Sequence, residues 1–108
     1  MKKFIVILSG KKAKSLKSDL LNAHVEHLRT LHKNGFLFLC GPFADNDGAI
    51  QIINAKTKED VEKMVLSDPF VENSYYSNFV IYELNEANED NCYLLKNDKQ
   101  TEGNLISE

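Results

Sequence analysis

Three segments of this chain are apolar without interruption: Phe4-Ile5-Val6-Ile7-Leu8, Phe36-Leu37-Phe38-Leu39-Cys40 and Phe79-Val80-Ile81-Tyr82. Each is short and rich in β-branched or aromatic residues, which reads as a strand. Successive side chains of a strand point to opposite faces, so an unbroken apolar run makes both faces of its sheet apolar. An antiparallel sheet with helices on one side and water on the other alternates apolar with polar instead. Both faces of this sheet therefore want cover.

Residues 3–9 form the first strand, and residues 9–17 a basic loop punctuated by Gly10. A helix is expected over residues 18–34, stopped by Asn34-Gly35, residue types that tolerate the left-handed conformation at a helix C-terminus. Residues 36–40 and 49–54 make a hairpin, with Asp45-Asn46-Asp47-Gly48 as turn chemistry. Thr57 can cap a second helix that carries Glu59, Asp60 and Glu62 near its start and runs to Leu66, where Asp68-Pro69 ends it. Residues 77–84 are the last strand. The order βαββαβ is that of an α+β, ferredoxin-like sandwich.

Two helices can cover one face of such a sheet, which leaves the other for the sheet of a second copy. Shielding by the C-terminal segment is the alternative, but residues 86–108 are mostly polar, with Cys92-Tyr93-Leu94-Leu95 as their one apolar spot. The expected organisation is an α+β domain over residues 1–85 and an acidic tail over 86–108, the apolar spot docking on its own or the partner subunit. A chain of 108 residues is one domain with limited buried surface, so association would help it.

Several function classes are excluded by composition. No run of about 18 apolar residues is present to cross a bilayer, and the apolar stretch after Met1-Lys2-Lys3 lacks the length and cleavage site of a signal peptide. Cys40 and Cys92 are too few and too far apart for a disulfide framework or a thiolate metal site, so a cytoplasmic setting is expected. The net charge of -3 resides in the tail, which holds six acidic and two basic residues, so the body is nearly neutral. It offers no basic stripe for nucleic acid and no polybasic helix for a membrane surface. No cofactor fingerprint, phosphate loop or serine nucleophile motif appears, and the Asp45–Gly48 turn is far too short for a calcium loop.

Chemistry then rests on two residues. At about 100° per residue, Leu16, Leu20, Leu21, Val25, Leu28 and Leu31 fall on one side of the first helix, and His24 lies near the middle of that side. His27 and His32 sit at its edges and are expected to be solvated; the three imidazoles spread too far to share a metal. His24 is either a core histidine bonded to a backbone carbonyl or half of an acid–base pair. Asp68 has two readings as well: ordinary turn chemistry before a proline, or the carboxylate of that pair.

Ala23-His24, then Leu28, Leu31-His32, Gly35, Gly41-Pro42, Gly48 and Asp68-Pro69-Phe70, in this order and spacing, resemble the YciI-like (YCII-related) family across residues 3–84. The resemblance implies a dimeric α+β barrel with a His–Asp pair, here His24 and Asp68, in a pocket between sheet and helices. It also implies proton transfer of lyase, dehydrochlorinase or isomerase type on a small, ring-like substrate, without a cofactor. In that reading His24 is the general base, Asp68 fixes its tautomer, and Gly41 and Pro42 shape the substrate pocket. Members often carry Arg-Pro-Ala-His where this chain has Leu21-Asn22-Ala23-His24, so a possible clamp for an anionic substrate is missing. Lys11, Lys12 and Lys14 are the substitutes on offer, although loop lysines are usually just solvated. The competing class is a non-catalytic, ligand-binding or stress-associated homodimer that uses the same pocket.

Overall fold

The structure is a computed structural model, and it describes residues 1–12, 16–45 and 47–95. The elements are β1 (Lys2–Lys11), α1 (Ser18–Lys33), β2 (Leu37–Pro42), β3 (Ala49–Ala55), α2 (Lys58–Leu66), α3 (Pro69–Glu72) and β4 (Tyr76–Leu84), followed by a 3-10 segment, Glu89–Leu94. The four strands make one antiparallel sheet in the order β2-β3-β1-β4, the ferredoxin-like arrangement expected from βαββαβ. The helix missing from the expected order is α3, a single turn that begins at Pro69 where α2 was expected simply to stop.

Local chemistry explains each boundary. Gly35 adopts φ +84°, its N–H donates to the His32 carbonyl, and the Phe36 N–H donates to the Leu31 carbonyl at 2.8 Å. That pair of bonds is a Schellman close, and it turns the chain directly into β2. The Thr57 hydroxyl accepts from the Asp60 N–H at 3.1 Å and caps α2. Asp68 caps α3 in the same way, with Pro69 at the first helical position, where its missing N–H costs nothing.

The helices cover one face of the sheet. Phe4, Val6 and Leu8 of β1, Ile53 and Ala55 of β3 and Ile81 of β4 are buried there against Val61 and Val65 of α2 and Phe70 of α3. Burying side chains of this size contributes about 1.5–3 kcal/mol each. On α1, Leu31 is buried and Leu20 packs on the core, whereas Leu21, expected on the same side, is 41% exposed. The opposite sheet face has no covering element among the described residues. Ile5, Ile7, Ile50 and Ile52 are half-buried on it, and Phe38, Leu39, Val80 and Tyr82 are exposed. A register shift between Leu37 and Leu39 puts Phe38 at a β-bulge, and the Lys3 ammonium lies 4.9 Å from its ring centroid. Beyond β4, Tyr93, Leu94 and Leu95 are exposed; residues 96–108 of the expected tail lie outside the described residues.

The β2–β3 hairpin is held close to β1 at Gly48, which is buried. A Cβ there would stand 2.5 Å from the Leu8 carbonyl oxygen, a rigid backbone neighbour. Gly48→Ala should therefore lose about 1–3 kcal/mol of stability through overpacking, read as a lower urea midpoint. An unchanged midpoint would mean that the hairpin shifts away from β1 at no cost.

Candidate functional site

Asp68 is the only charged side chain that is fully buried among the described residues. Capping α3 brings its carboxylate inward. Oδ1 accepts from the Phe70 N–H at 2.9 Å and pairs with His24 Nδ1 at 2.8 Å. Oδ2 accepts from Gln51 Nε2 at 3.2 Å. Three elements thus converge on one carboxylate: α1 through His24, β3 through Gln51 and α3 through its own backbone.

Burial works against the charge of Asp68, but the hydrogen bond and charge of His24, the Phe70 N–H and the more distant His27 outweigh it. Its pKa falls below the ordinary carboxylate value. An ionised Asp68 can only accept, so His24 Nδ1 carries a proton toward it; in the neutral imidazole Nε2 is then the acceptor. His24 Nε2 has no partner among the described residues. The imidazole also stacks on Phe70, with ring centroids 3.7 Å apart and planes 3° from parallel. Ring and carboxylate are therefore oriented by three hydrogen bonds and one ring stack.

His24 borders a cavity of about 420 Å³ between α1 and the sheet, with Gly41, Pro42, Gln51, Tyr75 and Tyr76 among its walls. That is a usual size for a small-molecule site. Of the four residues singled out from sequence, His24, Gly41 and Pro42 line the cavity. Asp68 does not line it; the carboxylate is fully buried behind two residues that do, His24 and Gln51. Cys40 lines the cavity too, but burial and the Asp68 charge push its thiol pKa up, which keeps it in the less nucleophilic neutral form. Tyr76 is pushed up as well, by burial and by Tyr75 and Asp68.

Gln51 and the aromatic set Phe70, Tyr75 and Tyr76 were not singled out from sequence. A signal for Gln51 was present, because it shares the inward face of β3 with Ile53 and Ala55, and a polar side chain at such a position needs a buried partner. His27 differs from its expected role at a solvated edge. It is half-buried with its Nε2 enclosed beside the Met64 backbone, and burial lowers its pKa despite the opposing influence of Asp68, Glu72 and that backbone. His32 is exposed, as expected. Of the loop lysines, Lys11 has its ammonium 5.8 Å from the Tyr75 ring centroid, and Lys14 lies outside the described residues. Among the described residues, no three His, Cys, Asp or Glu side chains are grouped to hold a metal ion, and no helix is long and apolar enough to cross a membrane.

The model of the YCII-related domain matches residues 3–85. Among solved structures, the chain is similar to 5-chloro-2-hydroxyhydroquinone dehydrochlorinase from Burkholderia phenoliruptrix AC1100, in its complex with 2,5-dihydroxybenzoquinone. The TM-score is 0.61 at 21% sequence identity, over 81% of this chain and 97% of that one. At that identity the likeness speaks to the fold, and it agrees with the α+β sandwich described above. None of the curated proteins compared with the chain matches it.

His27 supplies a pH test. A histidine whose folded pKa is lowered binds fewer protons than it does in the unfolded chain, so its stabilising effect is complete above the unfolded value of about 6.5 and is lost as pH falls through the folded value. Urea midpoints of the wild type should drop as the pH is taken from about 7 downward, and part of that drop should vanish in His27→Asn. Parallel curves for the two proteins would show that His27 is not buried in its neutral form.

Proposed function

This chain belongs to the YCII-related domain family, and from that premise we propose that its cavity is an acid–base site acting on a small, uncharged ring compound. The observation that carries this reading is the 2.8 Å contact of His24 Nδ1 with the buried Asp68 carboxylate, on an imidazole that borders a cavity. His24 Nε2 is the general base. It takes a proton from the substrate, and the electron pair of the broken bond moves into the ring. In an elimination that pair expels a leaving group such as chloride; in an isomerisation the proton is returned at another carbon. Asp68 holds the imidazole in the tautomer that exposes Nε2 and stabilises the imidazolium once it forms. Catalysis of this kind is worth about 10²–10⁴-fold. Gly41 and Pro42 shape the cavity wall, and the dehydrochlorinase that shares the fold gives chloride elimination as the first reaction to try.

The working form in this reading is a cytoplasmic homodimer joined through the open sheet face, with the α+β domain of residues 1–85 as its body. The exposed Phe38, Leu39, Val80 and Tyr82 beside four half-buried isoleucines support the interface. Apolar patches of this extent mark association surfaces, and a stable interface buries about 800 Å² per partner. Light scattering should give twice the 12.3 kDa chain mass, and Phe38→Lys with Tyr82→Lys should return the monomer. A wild type that is monomeric at tens of micromolar would overturn the interface.

Chloride release from 5-chloro-2-hydroxyhydroquinone tests the chemistry. His24→Gln keeps a donor for Asp68 but removes the base, so release should fall by about 10²–10⁴-fold with the fold intact. An equal rate in the variant overturns the base assignment. Binding without turnover by the wild type would favour the ligand-binding dimer.

A further inference from the structure

Gln51 is 3% exposed, and β3 turns it into an interior otherwise formed by Ile53 and Ala55. Its Nε2 donates to Asp68 Oδ2 at 3.2 Å. That bond fixes the amide, because a carboxylate accepts hydrogen bonds and only the NH₂ end of an amide can face it. The carbonyl oxygen, on the other branch of the same planar carbon, is therefore turned away from Asp68. No donor among the described residues reaches it, and Gln51 borders the cavity.

A leucine at this position would pack the core as well; the glutamine instead brings to the cavity wall an amide oxygen that no protein donor among the described residues engages. Something in the cavity can donate to it. The remaining walls say what that something is. No Lys or Arg is among the described residues lining the cavity, and the Asp68 carboxylate stands directly behind His24. Among the described residues, the walls therefore supply no cation to pair with an anion; Lys11, over the ring of Tyr75, is not one of them. The walls include the flat rings of His24, Phe70, Tyr75 and Tyr76, with His24 and Phe70 already stacked, which suits a planar ring.

We propose that Gln51 is the specificity residue of this cavity: locked on Asp68 through Nε2, it presents Oε1 as a fixed acceptor that selects an uncharged ring carrying a hydroxyl over the same ring without one. The assignment rests on the reading of the cavity as the ligand site. It gives Asp68 two lines to the ligand, through the imidazole of His24 and through the amide of Gln51. A hydroxyl bound at Oε1 polarises the amide and strengthens its bond to Asp68, so ligand recognition and the orientation of the base are coupled.

The experiment is a titration of the full chain with 1,3-dihydroxybenzene and with 1,3-dimethoxybenzene, two rings that differ in their donors, followed by ¹H–¹⁵N NMR. The wild type should bind the dihydroxy compound roughly tenfold more tightly. In Gln51→Met, which keeps the length of the side chain, the preference should collapse to about one while the dimethoxy compound binds as before. In His24→Gln the preference should persist. A preference that survives in Gln51→Met, or that is lost only in His24→Gln, overturns the assignment while leaving the ligand site standing. A wild type that binds neither ring overturns both. Should Gln51→Met fail to fold, the wild type still decides: the side-chain amide resonances of Gln51 must move with the dihydroxy ring and stay still with the dimethoxy ring, and equal movement with both overturns the proposal.

Discussion

One buried carboxylate organises this molecule. Asp68 sits at the join of α2 and α3, and its two oxygens take hydrogen bonds from an imidazole, an amide and a backbone N–H. A buried charge is tolerable only when hydrogen bonds replace its hydration. Those replacements come from α1, β3 and α3, so satisfying the charge also fixes how the helices sit on the sheet. The same requirement orders the site. His24 is held at Nδ1, its ring is stacked on Phe70, and the nitrogen left over belongs to a residue that borders the cavity.

The two faces of the sheet have different fates. The inward face of β1 and β3 is filled by α2, α3 and part of α1, and the cavity opens where α1 does not fully close against the end of β2. Gly41 brings no side chain to that wall, and Gln51 contributes an amide where its neighbours contribute methyl groups. The outward face has the apolar content of a core and, among the described residues, nothing on top of it. Its isoleucines shelter one another, whereas Phe38 and Tyr82 remain 57% and 56% exposed. In the proposed dimer that face is the interface, and the cavity and the interface lie on opposite sides of one layer.

The strand and helix order was legible because its signals are local. Apolar runs marked β1, β2 and β4, Asn34-Gly35 marked the end of α1, and Thr57 marked the start of α2. The missed element, α3, is one turn long, and a helix of four residues has too few positions to show a period. Its signal was read as a stop because Asp68-Pro69 does end α2; that the same Asp caps a new helix depends on the chain turning back after one turn. His27 was misjudged for a related reason. Helical angle alone puts it at the rim of the apolar side, but what encloses an edge residue is the neighbouring element, and no count along α1 reveals it.

The sequence by itself determined the antiparallel α+β architecture, the two-faced sheet and the place of His24 on the inward side of α1, and for Asp68 it left turn chemistry and a site carboxylate both open. Periodicity and turn chemistry are properties of a few consecutive residues, and they do not need the rest of the fold. Only the tertiary structure decided which atoms meet: that Asp68 is shared by His24 and Gln51 across separations of 44 and 17 residues, and that it lies behind the imidazole instead of in the cavity. Hydrogen bonds depend on distances of a few tenths of an ångström and on direction. Those quantities are set when the helices settle on the sheet, not by the order of the residues along the chain.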